Sequence, residues 1–160
     1  MKNLLILTFV CLSLTGCTTF SYQYLQGDYL QGIVWKESPK SYDETFTKAI
    51  EVMTQQGILA STIDRPNGFI QFYGEFGLSE ITFERKGEPQ NPKRSIVTPE
   101  GVPLSRLGVN IVVLVQQYRT GSRVGVRLIV ANKDLIVPSI SGETASLGNY
   151  ERYILDQIVP

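Results

Sequence analysis

Residues 107–131 read LGVNIVVLVQQYRTGSRVGVRLIVA, and this stretch decides the fold. Every second residue from 109 to 115 is aliphatic, and the same alternation returns from 124 to 130. Side chains alternate between the two faces of a strand, so this spacing predicts two strands that each bury one face. Thr120, Gly121 and Ser122 supply a short turn between them, which completes a predicted β-hairpin.

A helix is predicted over residues 41–56. Ser41 and Glu44 have the S-x-x-E spacing of a capping box, which satisfies free N–H groups where a helix begins. Apolar residues recur at steps of three and four and form one stripe of Tyr42, Phe46, Ala49, Ile50 and Met53. Gly57 then ends the helix as a C-cap glycine.

Three more strands are predicted before residue 86. Residues 58–63 and 69–73 flank the turn Asp64-Arg-Pro-Asn-Gly68, whose Asn-Gly pair readily adopts positive φ, so they form a second hairpin. Residues 79–85 alternate apolar and polar side chains, which predicts a half-buried third strand. Residues 86–106 are rich in proline and glycine and predict a loop of about twenty residues, either functional or mobile.

The chain ends in a second predicted helix, residues 141–159, with Leu147, Tyr150, Ile154 and Ile158 at near-helical spacing. Gly148 inside it is expected to weaken the helix by about 1 kcal/mol relative to alanine. The order of elements predicts an α+β fold, an antiparallel sheet of about five strands with two helices packed on one face.

Composition excludes several classes of function. The 160 residues include 15 basic and 15 acidic side chains, two cysteines and no histidine. Balanced charge argues against a general nucleic-acid binder, and the lack of histidine excludes Ser-His-Asp and Cys-His nucleophile pairs and histidine-ligated zinc or haem. Glu75, Glu80 and Glu84 lie close in sequence, but Glu80 and Glu84 alternate with Thr82 and indicate a solvent-exposed strand face rather than an acid–base pair. We therefore expect no enzymatic activity, no cofactor and no metal site.

The amino terminus has the pattern of a secretory signal. Lys2 precedes an apolar run, residues 4–14, which is about half as long as a membrane-spanning helix requires. Leu14-Thr-Gly-Cys17 follows, and this tetrapeptide resembles the lipobox of bacterial outer-membrane lipoproteins. Cys11 follows the bulky residues Phe9 and Val10 and does not fit that pattern.

The lipobox resemblance implies a processing route and a location. Residues 1–16 would be removed as a signal peptide, and Cys17 would be acylated. Thr18 after the cysteine implies sorting to the outer membrane, with the protein on the periplasmic side. Residues 17–40 then form a lipidated leader or tether, and residues 41–160 form a single domain.

A second resemblance covers residues 41–85. Its hydrophobic pattern is similar in layout to the helix-grip domains of the BamC-type lipoprotein in the β-barrel assembly machine. The residues that carry it are Tyr42, Phe46, Ala49, Ile50, Gly57, Ile58, Asp64, Asn67, Gly68, Phe69 and Ile70. Because this is a packing pattern and not a site motif, it implies no functional residue.

Aromatic residues of the leader, among them Tyr22, Tyr24 and Trp35, are candidates for binding a partner. The leader is either a tether that docks on the domain through a short strand at 33–35, or an aromatic segment that contacts a partner or the lipid headgroups.

Three arginines are further candidates. Arg123 and Arg127 share the outward face of one predicted strand, and Arg119 lies across the turn. They form either a basic patch for an anionic partner, such as lipopolysaccharide phosphates or an acidic protein, or solvated strand edges balanced by Glu80 and Glu84 of a neighbouring strand.

Together these patterns predict a non-enzymatic, lipid-anchored periplasmic binding or scaffold subunit of an envelope assembly or secretion system. Its partners would be the membrane, through the anchor, and an envelope protein complex, but no nucleic acid. The alternative is a lipoprotein that binds a small ligand or lipid in the cleft between sheet and helices.

Overall fold

The computed structural model describes residues 24–100, 106–131 and 144–160. The predicted signal peptide, Cys17 and Tyr22 lie outside these residues, as do the first residues of the predicted closing helix. The elements of the described residues, in chain order, are β1 Val34–Ser38, α1 Tyr42–Gln55, β2 Ala60–Asp64, β3 Phe69–Gly77, a 3-10 turn Leu78–Glu80, β4 Ile81–Arg85, β5 Glu88–Pro89, β6 Ile96–Pro99, β7 Arg106–Tyr118, β8 Gly121–Ala131, β9 Ala145–Ser146 and α2 Asn149–Ile158.

The large sheet has five antiparallel strands in the order β1-β8-β7-β3-β2. The predicted β7–β8 hairpin lies at its centre, with Val113 opposite Val126. β3 pairs along the other edge of β7 and forms the second predicted hairpin with β2. The predicted fold class, α+β with an antiparallel sheet of about five strands, is confirmed.

Both helices pack on the same face of this sheet, as predicted. The α1 side chains Phe46, Ala49 and Met53 are completely buried. They share a core with inward side chains of both central strands and of α2, namely Val109, Ile111, Val113, Val115, Val124, Val126, Leu128, Ile154, Leu155 and Ile158. Each large aliphatic side chain buried in this way stabilises the fold by about 1.5–3 kcal/mol.

The predicted start and end of α1 are confirmed. The Ser41 Oγ accepts a hydrogen bond from the Glu44 N–H at 3.4 Å, and the Glu44 carboxylate accepts one from the Ser41 N–H at 3.0 Å. Gly57 follows the helix with φ of +76°, a left-handed conformation that glycine adopts without steric cost.

The membership of the large sheet differs from the prediction in two strands. The predicted strand 79–85 is present as β4 but belongs to a second sheet, ordered β5-β4-β6-β9. The 3-10 turn separates β4 from β3 and takes the chain out of the large sheet. The short strand predicted at 33–35 becomes β1 and forms the edge beside β8.

The prediction that Glu80 and Glu84 lie on a solvent face is wrong. Strand β4 pairs on both edges, with β5 and with β6, and Thr82 and Glu84 are buried. Glu80 is half-buried, and its carboxylate accepts a hydrogen bond from Ser95 Oγ at 2.8 Å. Alternation along one strand does not reveal what other segments cover it.

The prediction of a loop of about twenty residues over 86–106 is also wrong in part. Strands β5 and β6 lie within it, and all four residues of β6 are buried. Ile96 of β6 aligns with Ile81 of β4 in parallel register. The apolar pair Ile96 and Val97 signals this strand, but four surrounding prolines obscure it.

The closing helix begins later than predicted, at Asn149. Ala145 and Ser146 before it pair with β6 as β9. Gly148 has φ of +78° and directly precedes the helix. Because Gly148 is not in the helix interior, the expected weakening of the helix does not apply.

Glu151, in the first turn of α2, joins the two sheets. Its side chain is completely buried. Its carboxylate accepts hydrogen bonds from Ser146 Oγ of β9 at 2.8 Å and from the Leu128 N–H of β8 at 3.3 Å. A carboxylate can be buried only where such donors replace water, so Glu151 specifies how the small sheet meets the large one.

We predict that Glu151→Gln lowers the free energy of unfolding by about 1–3 kcal/mol, because the amide nitrogen donates and cannot accept, so that either Ser146 Oγ or the Leu128 N–H loses its acceptor. Urea denaturation followed by circular dichroism measures this change. Glu51→Gln, an exposed glutamate on α1, is the matched control and should change stability by less than about 0.5 kcal/mol. Equal effects of the two substitutions would contradict the role of Glu151.

Candidate binding surface

The large sheet has a face that points away from the helices, which we call the outer face. Along β7, side chains that face the helices are buried, whereas the alternate ones from Asn110 to Gln116 are half-buried. Trp35, Tyr73 and Ile129 on this face are 37%, 44% and 41% exposed. The outer face therefore presents accessible apolar side chains on three of its strands, β1, β3 and β8.

Trp35 lies over Gly125, its partner in the β1–β8 register. A Cβ atom at residue 125 would lie 2.8 Å from Cε3 of the indole and 2.5 Å from Cγ2 of Ile33. Both distances are well inside van der Waals contact. Glycine at 125 therefore makes room for the indole on the surface of β8.

Three neighbours hold Arg123 in place beside Trp35. Its guanidinium carbon lies 4.6 Å from the Trp35 ring centroid and 5.3 Å from that of Tyr118. Its Nε donates a hydrogen bond to Gln116 Oε1 at 2.8 Å. Within the described ranges no carboxylate forms an ion pair with Arg123. Glu37 is the partner of Arg123 in the β1–β8 register, but the Arg123 guanidinium contacts the two aromatic rings and Gln116 and forms no ion pair with Glu37.

The other two predicted arginines differ in their surroundings. Arg119 lies 4.9 Å from the Tyr118 ring centroid, and its Nη1 is 3.5 Å from Glu37 Oε2. Arg127 is exposed and lies on the outer face, four residues from Arg123. The structure thus brings Arg119 and Arg123 together around Tyr118.

Glu80 and Glu84 do not balance these arginines, contrary to one of the two predicted alternatives. Both belong to the second sheet or the turn before it, and their carboxylates accept hydrogen bonds from Ser95 and from the leader. Glu37 forms the ion pair with Arg119, and it lies opposite Arg123 in the β1–β8 register.

The leader contributes two of its predicted contact residues in different ways. Trp35 becomes part of the outer face through β1, whereas Tyr24 is 63% exposed. Sequence reasoning overlooked Gly125 as a partner of Trp35. A glycine between two arginines of an otherwise regular strand indicates a close approach, and that signal was present.

Glu84 binds the leader to the second sheet. Its buried carboxylate accepts hydrogen bonds from the backbone N–H groups of Gln26 at 2.8 Å and Gly27 at 3.1 Å. Gly27 lies against Gly87, because a Cβ at residue 27 would be 2.3 Å from the Gly87 carbonyl oxygen. The leader is therefore docked at a specific place well before β1 begins.

Hydrogen bonding governs the ionisation of Glu84. Burial by itself raises the pKa of this carboxyl, but hydrogen bonds from Tyr29 and from the backbone N–H groups of Gln26, Gly27 and Gly87 outweigh burial. The pKa of Glu84 therefore lies below its ordinary value of 4.5. The docked leader favours the ionised form.

A second concave surface lies where α1 ends and α2 begins. It is a cleft of about 540 Å³ whose lining includes Phe76, Tyr150, Tyr153, Glu80 and Lys93. Phe76 and Tyr150 meet edge to face with ring centroids 4.9 Å apart. Burial raises the pKa of Tyr150 to about 12, so its hydroxyl stays protonated at neutral pH. The cleft thus combines aromatic surface with hydrogen-bonding groups, as small-molecule sites do.

The described residues offer neither a metal-binding cluster nor a membrane-spanning helix. They contain no group of three or more His, Cys, Asp or Glu side chains placed to hold a metal ion. None of their helices has the length and apolar character needed to cross a membrane.

A scan of protein-family models and a search of curated proteins found no match to this chain.

We predict that the leader loosens in acid. A lowered native pKa means that Glu84 stabilises docking fully above its ordinary pKa of 4.5, and that this stabilisation is lost as the pH falls through the lower native value. Amide hydrogen exchange, expressed as protection factors at Gln26 and Gly27 from pH 7 down to pH 3, measures this loss.

Already at neutral pH, Glu84→Gln should lower the protection factors of the Gln26 and Gly27 amides by about tenfold or more. Glu88→Gln, an exposed neighbour, is the control and should leave them unchanged. Protection at Gln26 and Gly27 that is identical in the wild type and Glu84→Gln would show that Glu84 does not hold the leader.

Proposed function

We propose that this protein is a lipid-anchored periplasmic protein that serves a bacterial envelope complex as a non-enzymatic binding or scaffold subunit. The observation that carries this proposal is the outer face, where the exposed Trp35 and half-buried aliphatic side chains adjoin the ordered guanidinium of Arg123. Trp, Tyr and Arg are the residue types that contribute most to protein–protein binding, and Trp35, Tyr118 and Arg123 form one cluster.

The anchor is supported by the lipobox pattern and by the docking of the leader. Only seven residue steps separate Cys17 from Tyr24, a distance of at most about 25 Å when fully extended. Because Glu84 binds Gln26 and Gly27 to the domain, a lipid on Cys17 would keep the domain near the bilayer. A scaffold subunit works at such a fixed distance from its membrane.

Lipidation is tested by Cys17→Ala in a Gram-negative host. The wild type should fractionate with outer membranes and show the added mass of acyl chains, whereas the variant should show neither. Cys11→Ala is the matched control and should be acylated like the wild type, because that residue lies in the segment expected to be removed. Acylation that survives Cys17→Ala would contradict the anchor.

The binding role is tested by photo-crosslinking in the same cells. A benzophenone amino acid replaces Tyr73, exposed on the outer face, or Gln55, exposed on α1. The Tyr73 position should form a discrete adduct with an envelope protein that the Gln55 position does not form. Equal adducts from both positions, or none from Tyr73, would contradict a scaffold that uses the outer face.

The cleft supports the alternative, a lipoprotein that binds a small ligand or lipid. Gly74 lines this cleft, and a side chain there would point toward Ile58. If the cleft holds a ligand, native mass spectrometry of protein purified in mild detergent should show a bound mass that Gly74→Leu removes. Gly32→Leu, at a position with open space around it, should retain that mass. A wild-type protein that carries no bound mass would contradict the alternative.

A further inference from the structure

We infer that the outer face binds an acidic, extended segment of a protein partner, whose carboxylates pair with Arg123 and Arg127 and whose apolar side chains rest on Trp35 and Leu114. This inference deepens the proposed function and rests on it for the existence of a protein partner. The chemistry of the recognition comes from the arrangement of side chains on β1, β8 and β7.

The charges on this part of the sheet are unequal, although those of the whole chain balance. Arg119, Arg123 and Arg127 lie on or beside β8, and among described residues Glu37 is the carboxylate that pairs with one of them. An excess of two positive charges attracts an anion. Arg123 is half-buried between aromatic rings, where charge-assisted hydrogen bonds are stronger than in open water.

An apolar row crosses the sheet between the two arginines. Trp35, Gly125, Leu114 and Phe69 are consecutive partners across β1, β8, β7 and β3. Four strands at the usual spacing make this row about 14 Å long. With the indole of Trp35 over Gly125, the row presents a continuous apolar strip of aromatic and aliphatic groups.

The arginines flank this row at a spacing that fits an extended chain. Arg123 lies two residues before Gly125 and Arg127 two residues after it, so the two Cα atoms are about 13 Å apart along β8. A partner in extended conformation has the same rise per residue. Acidic residues at positions i and i+4, with an apolar residue at i+2, would therefore match Arg123, the apolar row and Arg127.

A protein segment fits this pattern better than a membrane or a second copy of the chain. Lipid headgroups offer phosphates but no apolar group between them at the same depth, whereas the apolar row crosses β8 between the two arginines. A second copy docked by the same face would bring a second set of these arginines into the contact, with like charges close together.

Trp35 is the one tryptophan of the chain, so its fluorescence reports directly on this site. The probe is a blocked nine-residue peptide with glutamate at positions 3 and 7, leucine at position 5, and serine elsewhere. Titrated into the full chain as purified, it should change Trp35 emission saturably, and added salt should weaken the binding. Matched peptides with glutamine or lysine at positions 3 and 7 should bind at least about tenfold more weakly.

Arg123→Gln and Arg127→Gln should each weaken binding of the acidic peptide by about tenfold. Arg152→Gln, an exposed arginine on α2 away from the outer face, is the control and should leave the affinity unchanged. Unfolding midpoints in urea verify that each variant is folded. Because Arg127 is exposed, its replacement tests recognition even if loss of Arg123 disturbs Trp35.

Several outcomes would overturn the inference. The inference fails if the acidic peptide gives no saturable response, or if the glutamine peptide binds equally well. It also fails if Arg127→Gln and the wild type bind the acidic peptide with equal affinity. Trp35 emission could instead respond to vesicles of phosphatidylcholine with phosphatidylglycerol, but neither to phosphatidylcholine vesicles nor to the peptide. That result would assign the face to lipid. A change of Trp35 emission with protein concentration, in the absence of peptide, would assign the outer face to a second copy of the chain. The Cys17 and Tyr73 experiments test the proposed function separately, because they use neither the acidic peptide nor Trp35 fluorescence.

Discussion

The alternation of side chains along β7 and β8 is the constraint on which the rest of the structure depends. Aliphatic residues at every second position commit one face of both strands to the core. The two helices cover that face, and the remaining positions must then point outward. Arg123 and Arg127 lie on the outer face because they occupy the alternate positions of β8, so packing of the core and exposure of the arginines have one cause.

Two buried carboxylates determine how segments are placed where the alternation of side chains does not determine it. Glu151 connects α2, β8 and β9, and Glu84 connects the second sheet with the leader. A buried carboxylate is tolerated only in one arrangement of donors, so each selects a single relative placement of the segments it touches. Apolar packing alone would stabilise several similar placements.

The leader links the two proposed aspects of the function. Its first described residues dock at Glu84, and its later residues form β1, which supplies Trp35 to the outer face. A lipid on Cys17 and a partner on the outer face would therefore be joined by fewer than twenty residues that lie mostly on the domain. A lipid on Cys17 would thus hold the bound partner within a short distance of the membrane.

Sequence patterns with a short period determined much of this protein. The two-residue period predicted the β7–β8 hairpin, the three- and four-residue period with Ser41 and Glu44 predicted α1, and together they predicted the fold class. The same alternation placed Arg123 and Arg127 on one face. The lipobox pattern at Cys17 is also local, and it remains a prediction because residues 1–23 lie outside the described ranges.

Tertiary structure alone decided which strands share a sheet and which charges are buried. β4 left the large sheet, β6 formed among prolines, and Glu84 became buried, because each depends on pairing with segments distant along the chain. The contact of Trp35 with Gly125 and Arg123 joins residues about ninety positions apart, and no local period encodes it. The sequence thus determined α1, the strands of the large sheet and the buried face of β7 and β8, whereas long-range strand pairing decided the second sheet and the surface that these strands build.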